Sequence, residues 1–202
     1  MATHTEFHVH HDSPEKVGRR ERLGVRLLIV ADGAFLFGII FSWFYLRNLN
    51  ANGAWLPKGV KTFSTASSWW VIVPFILVLV AHRISMKNRA LRVPAMALST
   101  ILLIVGAWYQ WHQVCNMPFV AKDGSDRPFY NGAYASNWVL FAGANMFHYF
   151  ITAFITLGLF LRGLRGNLLD PVLEEWRQRV AGSWFTWVAI AGILSAFTTS
   201  FI

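Results

Sequence analysis

Few residues in this chain combine the type and the spacing needed for chemistry. Asp32 is the one carboxylate inside any long apolar block (LIVADGAFLFGIIFSWFYLRN). An acid at membrane depth is a functional candidate, because a charge in hydrocarbon is expensive unless a donor or cation stands beside it. Further on, Asn145, His148, Thr152 and Thr156 recur at offsets of 3, 7 and 11, which brings all four onto one helical face. Such a stripe has to face protein or water, since an unsatisfied polar group in lipid costs several kcal/mol. Two readings stand for it: hydrogen-bonded glue between helices, or a path for water and protons. Asp32 likewise reads either as an acid bonded to a neighbouring helix or as a group in proton uptake.

The histidines do not suggest a metal centre. A haem needs axial ligands at matched depth on facing helices, and His82, His112 and His148 fall near the inner end, the outer end and the middle of their blocks. His4, His8, His10 and His11 lie in a polar tail with no fixed geometry. The single Cys115 excludes an internal disulfide and any cysteine-clustered metal or iron–sulfur site. No catalytic, cofactor-binding or metal-binding residue is expected within the chain.

The elements that must position these residues are membrane spans. The 202 residues are 55% apolar and only 14% charged, against roughly 25% charged in an ordinary soluble domain. About 20 apolar residues cross a bilayer as a helix, and five blocks reach that length: about 27–46, 64–81 (with Pro74 inside), 93–114, 138–161 and 180–202. That predicts an all-α polytopic membrane protein, a bundle of five transmembrane helices. Residues 1–22 form a polar His-rich cytoplasmic tail and 23–202 the membrane domain; no signal-peptide pattern precedes the first span.

Lys and Arg collect in cytoplasmic loops. Here 13 lie before span one, between spans two and three, or between spans four and five, against 5 on the other side. The N-terminus is therefore expected in the cytoplasm and the C-terminus outside, and the net charge of +8 reads as topology rather than as affinity for nucleic acid. Trp43, Trp55, Trp69, Trp70, Trp108, Trp111 and Trp138 fall at the outer ends and Trp176, Trp184 and Trp187 toward the inner boundary, which reads as interfacial anchoring. Ladders of small residues (Ala34, Gly38 and Ser42; Gly192, Ala196 and Ser200) mark helix-packing faces. The segment NLLDPVLEEWRQR reads as a short interfacial helix opened by Asp170-Pro171. Counting from the inner edges of the blocks places Asp32 ~8 Å deep and His148 ~20 Å deep, which predicts no direct pair; Thr156 is closer in level to Asp32.

Read in order, several segments resemble subunit III of the haem–copper respiratory oxidases. Asp32 stands where that family usually has Glu, after a small residue and before a Phe-rich run. The loop GAWLPKGV, Gly53 to Val60, is similar to the family's Trp-Pro-Pro-x-Gly-Ile turn, with Leu56 in place of the first Pro. In WYQWHQV, Gln110 matches a Gln-x-x-Glu pattern and Gln113 replaces its acid. Tyr134, Ser136, Gly143 and His148 match a fourth-span pattern in which Asn145 takes the first His position. Trp184 is in place, while Phe185 and Val188 stand where the family usually carries His and Asp. The likeness runs from about Leu23 to Ile202, and five spans are similar to the short bacterial form that lacks two N-terminal helices.

This resemblance implies a non-catalytic accessory subunit in the inner (plasma) membrane of a bacterium. Subunit I would be its main partner, with subunit II and other respiratory-chain subunits nearby. Haem and copper would sit in those partners and phospholipid in a cleft, with Asp32, His148, Asn145, Gln110 and Thr156 as the buried polar, proton-uptake candidates. Enzymatic activity would be that of a cytochrome c oxidase-type complex, reduction of oxygen with proton translocation. A subunit III-like protein of a quinol oxidase or nitric oxide reductase is the alternative. A stand-alone transporter is the competing class; it calls for paired intramembrane charges, broken helices or pseudo-symmetry, where the chain offers one acid and one mid-span proline.

Overall fold

The computed structural model describes residues 12–57, 62–117, 132–166 and 170–201. The histidines of the N-terminal tail, together with Lys58, Lys61, Lys122 and Arg127, lie outside them. The chain is all-α. Helix α1 spans Pro14–Leu49, α2 Thr65–Trp70, α3 Val73–Lys87, α4 Arg92–Cys115, α5 Gly132–Arg165 and α6 Pro171–Thr199. With α2 and α3 taken together as one segment, five segments among the described residues are long and apolar enough to traverse a membrane. The fold is consistent with a polytopic membrane protein, and its outward faces agree: Phe35, Phe37, Phe41, Phe150 and Phe154 are all more than half exposed, a surface that suits lipid and not water.

Helix ends follow local chemistry. Ser13 caps α1 through its hydroxyl, with Pro14 at the first helical position. Asp170 caps α6 by accepting from the Val172 and Leu173 amides at 2.8 and 3.0 Å, and Pro171 opens the helix. That start was legible; its consequence was not. The Asp170-Pro171 segment runs without interruption into the fifth span instead of forming a separate interfacial helix. Similarly, Pro14 to Arg22, read from sequence as tail, are the first turns of α1. Long basic side chains on those turns keep their charged heads in water while the backbone stays helical.

Pro74 explains the break between α2 and α3. Its ring removes an amide and crowds the carbonyl four residues earlier, and the chain turns at Val71–Ile72. The loosened Val71 carbonyl is taken by the buried Tyr149 hydroxyl from α5. Gly106 of α4 makes this junction possible, because a Cβ there would fall 2.5 Å from the Tyr149 ring and 2.8 Å from Pro74.

Two cores fill the bundle. One gathers Trp43, Trp55, Tyr134, Trp138 and Phe141, with edge-on ring contacts centred on Trp43 at 4.9 to 5.7 Å. The other gathers Phe75, Met96, Leu103, Tyr149, Trp184 and Phe185. Anchoring at an interface therefore fits the exposed Trp69, Trp70, Trp108 and Trp111. It is the wrong reading for Trp43, Trp55, Trp138 and Trp184, which are buried. Their ring neighbours satisfy the apolar body, and the Trp43 indole N–H donates to the Phe201 carbonyl at 3.0 Å. The small-residue ladders also divide. Gly192 packs under Ile72 and Phe75, whereas among the described residues nothing comes within 4 Å of where a Cβ on Gly38 would stand.

The register between α1 and α5 is set by the connection after α1. The Ala133 and Tyr134 amides, in the first turn of α5, donate to the Ala54 and Trp55 carbonyls, each at 3.0 Å. Gly132 holds φ +92 beneath Pro57 and these carbonyls, where a side chain has neither room nor a relaxed backbone.

Candidate functional site

Helices α1, α5 and α6 meet at Asp32. Its Oδ2 lies 2.8 Å from His148 Nε2 on α5 and accepts the Trp187 indole N–H from α6 at 2.5 Å. The expectation that Asp32 and His148 lie at different depths was wrong. It took Leu27 as the inner edge, but α1 begins at Pro14. Measured from the other end of the bundle, Asp32 precedes Leu49 by 17 residues and His148 follows Gly132 by 16, which is about 25 and about 24 Å of helix. The matched amide–carbonyl pairs after α1 preserve that level.

The pair is walled by rings. Phe75, Phe147 and Trp184 surround the imidazole, with centroids 6.1 to 6.2 Å away, and His148 is fully buried. The carboxyl and the imidazole at this distance are hydrogen-bonded to one another, and that pairing is what makes two polar groups tolerable away from water. The second imidazole nitrogen, Nδ1, has no hydrogen-bond partner among the described residues. Asp32 also forms the only acidic part, among the described residues, of an apolar groove of about 500 Å³ between α1 and α5, lined by Leu28, Phe35, Leu140, Gly143 and Phe147 among others.

The remaining polar candidates form separate sets. Asn145 donates to Gln110 at 3.3 Å, Gln110 to Gln113 at 3.0 Å, and Gln113 to the Ser67 carbonyl at 3.3 Å. This chain ties α5 to α4 and α4 to α2. Beside it a cavity of about 20 Å³, bounded by Gln110, Asn145, Ser195 and Thr199 among others, has room for one water. Thr156 accepts from Thr100 of α4 at 2.9 Å, and Thr152 accepts the Trp184 indole at 3.0 Å. Thr156 is not Asp32's neighbour, although its level suggested it.

Trp187 and Gln113 complete these contacts and were not singled out as site residues from sequence. Gln113 had a signal, since Gln110 and Gln113 are three apart and share a helix face. Trp187 had none, because an indole near a helix end looks the same whether it anchors or donates. Among the described residues, no three His, Cys, Asp or Glu side chains gather as a metal-holding group.

No family profile matches the chain. It is similar to cytochrome c oxidase subunit 3 of Prototheca wickerhamii, with 26% identity over 166 residues, 75% of this chain and 58% of that protein. It is also similar to the probable cytochrome c oxidase subunit 3 proteins of Rickettsia felis and Rickettsia conorii. Both are 27% identical over 179 residues, covering 78% of this chain and 59% and 58% of theirs. The chain thus spans somewhat under two thirds of the length of the curated relatives it matches. What those alignments support, together with the five-helix bundle, is a family-level resemblance to subunit III of the haem–copper oxidases.

Proposed function

We propose that this chain is a non-catalytic accessory subunit of a haem–copper oxidase-type complex, lying against the redox subunit and carrying no redox centre itself. The similarity to three cytochrome c oxidase subunit 3 proteins over three quarters of the chain carries this reading. The 13-to-5 division of Lys and Arg supports a cytoplasmic N-terminus and an outer C-terminus, and a bacterial inner membrane is the setting on this reading. Subunit I is the main partner, with subunit II and other respiratory chains adjacent, and haem and copper belong to them. The apolar groove beside Asp32 suits a lipid acyl chain.

The polar interior has two tasks on this reading. The Gln110–Asn145 chain and the Thr100–Thr156 contact hold helices in register. The Asp32–His148 pair holds a transferable proton where the helices cross, supporting proton uptake by the complex. Purification in mild detergent tests the assignment: the chain should travel with a haem-bearing partner that shows a Soret band in stoichiometric amount. A homogeneous haem-free preparation from native membranes would overturn it. Within the complex, Asp32→Asn should shorten turnover lifetime or slow proton uptake, and unchanged values would leave the acid a purely structural group.

A further inference from the structure

The cavity of about 20 Å³ beside the amide chain lies where four helices meet, with Ser68 from α2, Gln110 and Gln113 from α4, Asn145 from α5, and Ser195 and Thr199 from α6. Its walls carry hydrogen-bonding capacity that the protein does not use up. Asn145 is 7% exposed, and its Oδ1 is buried and receives no hydrogen bond among the described residues. The Ser195 and Thr199 hydroxyls donate back to the Ala191 and Ser195 carbonyls at 2.8 and 2.9 Å, which leaves their oxygens able to accept. Gln110 and Gln113 each donate through the side-chain nitrogen, to Gln113 Oε1 at 3.0 Å and to the Ser67 carbonyl at 3.3 Å, and an amide nitrogen of this kind has a second hydrogen to give.

A guest here has to donate to Asn145 Oδ1, accept from a glutamine amide, and be small. Water meets all three conditions, and one molecule needs only ~10–15 Å³ of such space with about two to four polar partners. A bare cation would suit the oxygens, but among the described residues the lining holds no charged side chain to offset its lost hydration. An apolar guest would leave the Asn145 oxygen unmet, which costs stability at a buried acceptor. The position supplies a further reason. Among the described residues, side-chain hydrogen bonds join α6 to α1 through Trp187, to α3 through Thr186 and to α5 through Trp184, and none joins it to α4. A molecule bonded to Asn145 and to Ser195 or Thr199 ties α6 into the chain of amides that already links α5, α4 and α2.

We propose that this cavity binds a single water molecule, hydrogen-bonded to Asn145 Oδ1 and to a hydroxyl of α6, and that the half-exposed Ser68 at its edge lets that water exchange with solution. The site extends the helix-holding role of the amide chain and does not depend on the oxidase assignment, so the test uses the full-length chain alone. The detergent-solubilised protein receives a brief synchrotron X-ray dose, which converts bound water into hydroxyl radicals that oxidise the rings beside it, and mass spectrometry locates the products. Phe141 bounds the cavity although it is only 2% exposed, whereas the fully buried Phe75 does not bound it. Phe141 should oxidise at several times the rate of Phe75. Ala142→Val, which adds bulk to the cavity wall, should bring Phe141 down toward the Phe75 rate. Equal rates for the two rings in the unaltered chain overturn the proposal whether or not the variant folds, and so does a folded Ala142→Val protein in which Phe141 oxidation is undiminished. A Tm that rises with sodium chloride but not with choline chloride assigns the cavity to a cation and overturns it as well.

Discussion

If Asp32 is the junction of three helices, removing it should loosen all three at once, and the energetics can be separated. Asp32→Ala deletes the carboxyl that is hydrogen-bonded to His148 Nε2 and accepts from Trp187 Nε1. Each partner left unsatisfied costs ~1–3 kcal/mol, so the truncation should destabilise the bundle by about 2–6 kcal/mol before any cavity is counted. Much of that is the penalty on the abandoned partners. Double-mutant cycles remove it, and hydrogen bonds measured this way inside membrane proteins average ~0.6 kcal/mol with a maximum near ~1.7. The Asp32→Ala/Trp187→Phe cycle should therefore couple by about 0.6–1.7 kcal/mol. The Asp32→Ala/His148→Phe cycle should reach the top of that range, because the contact is charge-assisted in one of its proton placements. The assay is reversible unfolding of the detergent-solubilised chain against rising sodium dodecyl sulfate, followed by circular dichroism. Couplings within about 0.3 kcal/mol of zero in both cycles, the additivity of independent sites, would refute the junction.

Three other outcomes follow from single positions. Gly106→Ala drives a methyl into the Tyr149 ring and Pro74, so the same titration should show a loss of about 1–3 kcal/mol; an unchanged midpoint would mean that α4 does not approach that closely. Cys115 is exposed at the end of α4 and is the one cysteine, so a membrane-impermeant maleimide should label it in intact cells only after outer-membrane permeabilisation; protection there with labelling in inverted vesicles reverses the orientation. Asp12, outside the spans, is held below its ordinary value of 3.8 chiefly by the hydrogen bond from Lys16. Because its folded value is depressed, its contribution is present above about 3.8 and disappears as pH falls through the lowered value. A carboxyl NMR titration should give a midpoint below 3.8, and one at or above it contradicts the contact.

The spans were legible because an apolar run of membrane length leaves few alternatives. Their ends were less so. The basic stretch Lys16 to Arg26 stopped the first span on paper, yet those residues are good helix formers whose heads reach water from a continuing helix. That misplaced edge hid the Asp32–His148 pair, since a depth comparison is only as good as its reference level. Counting from the outer loop would have found it. The polar stripe on α5 was visible as a face, but the partner of each side chain was not, because periodicity fixes direction and not the neighbouring helix. Trp43, Trp138 and Trp184 show the same gap: an indole's amphipathic character suits a headgroup layer and a ring-packed interior equally well.

The three-helix junction also bears on how the chain is made. Asp32 meets partners 116 and 155 residues later in the sequence. At a synthesis rate of ~5–20 residues per second, Trp187 emerges roughly 8–30 s after the acid. For that interval α1 stands with its carboxyl short of one or both partners, and nascent chains stalled before α6 should be the species most open to degradation.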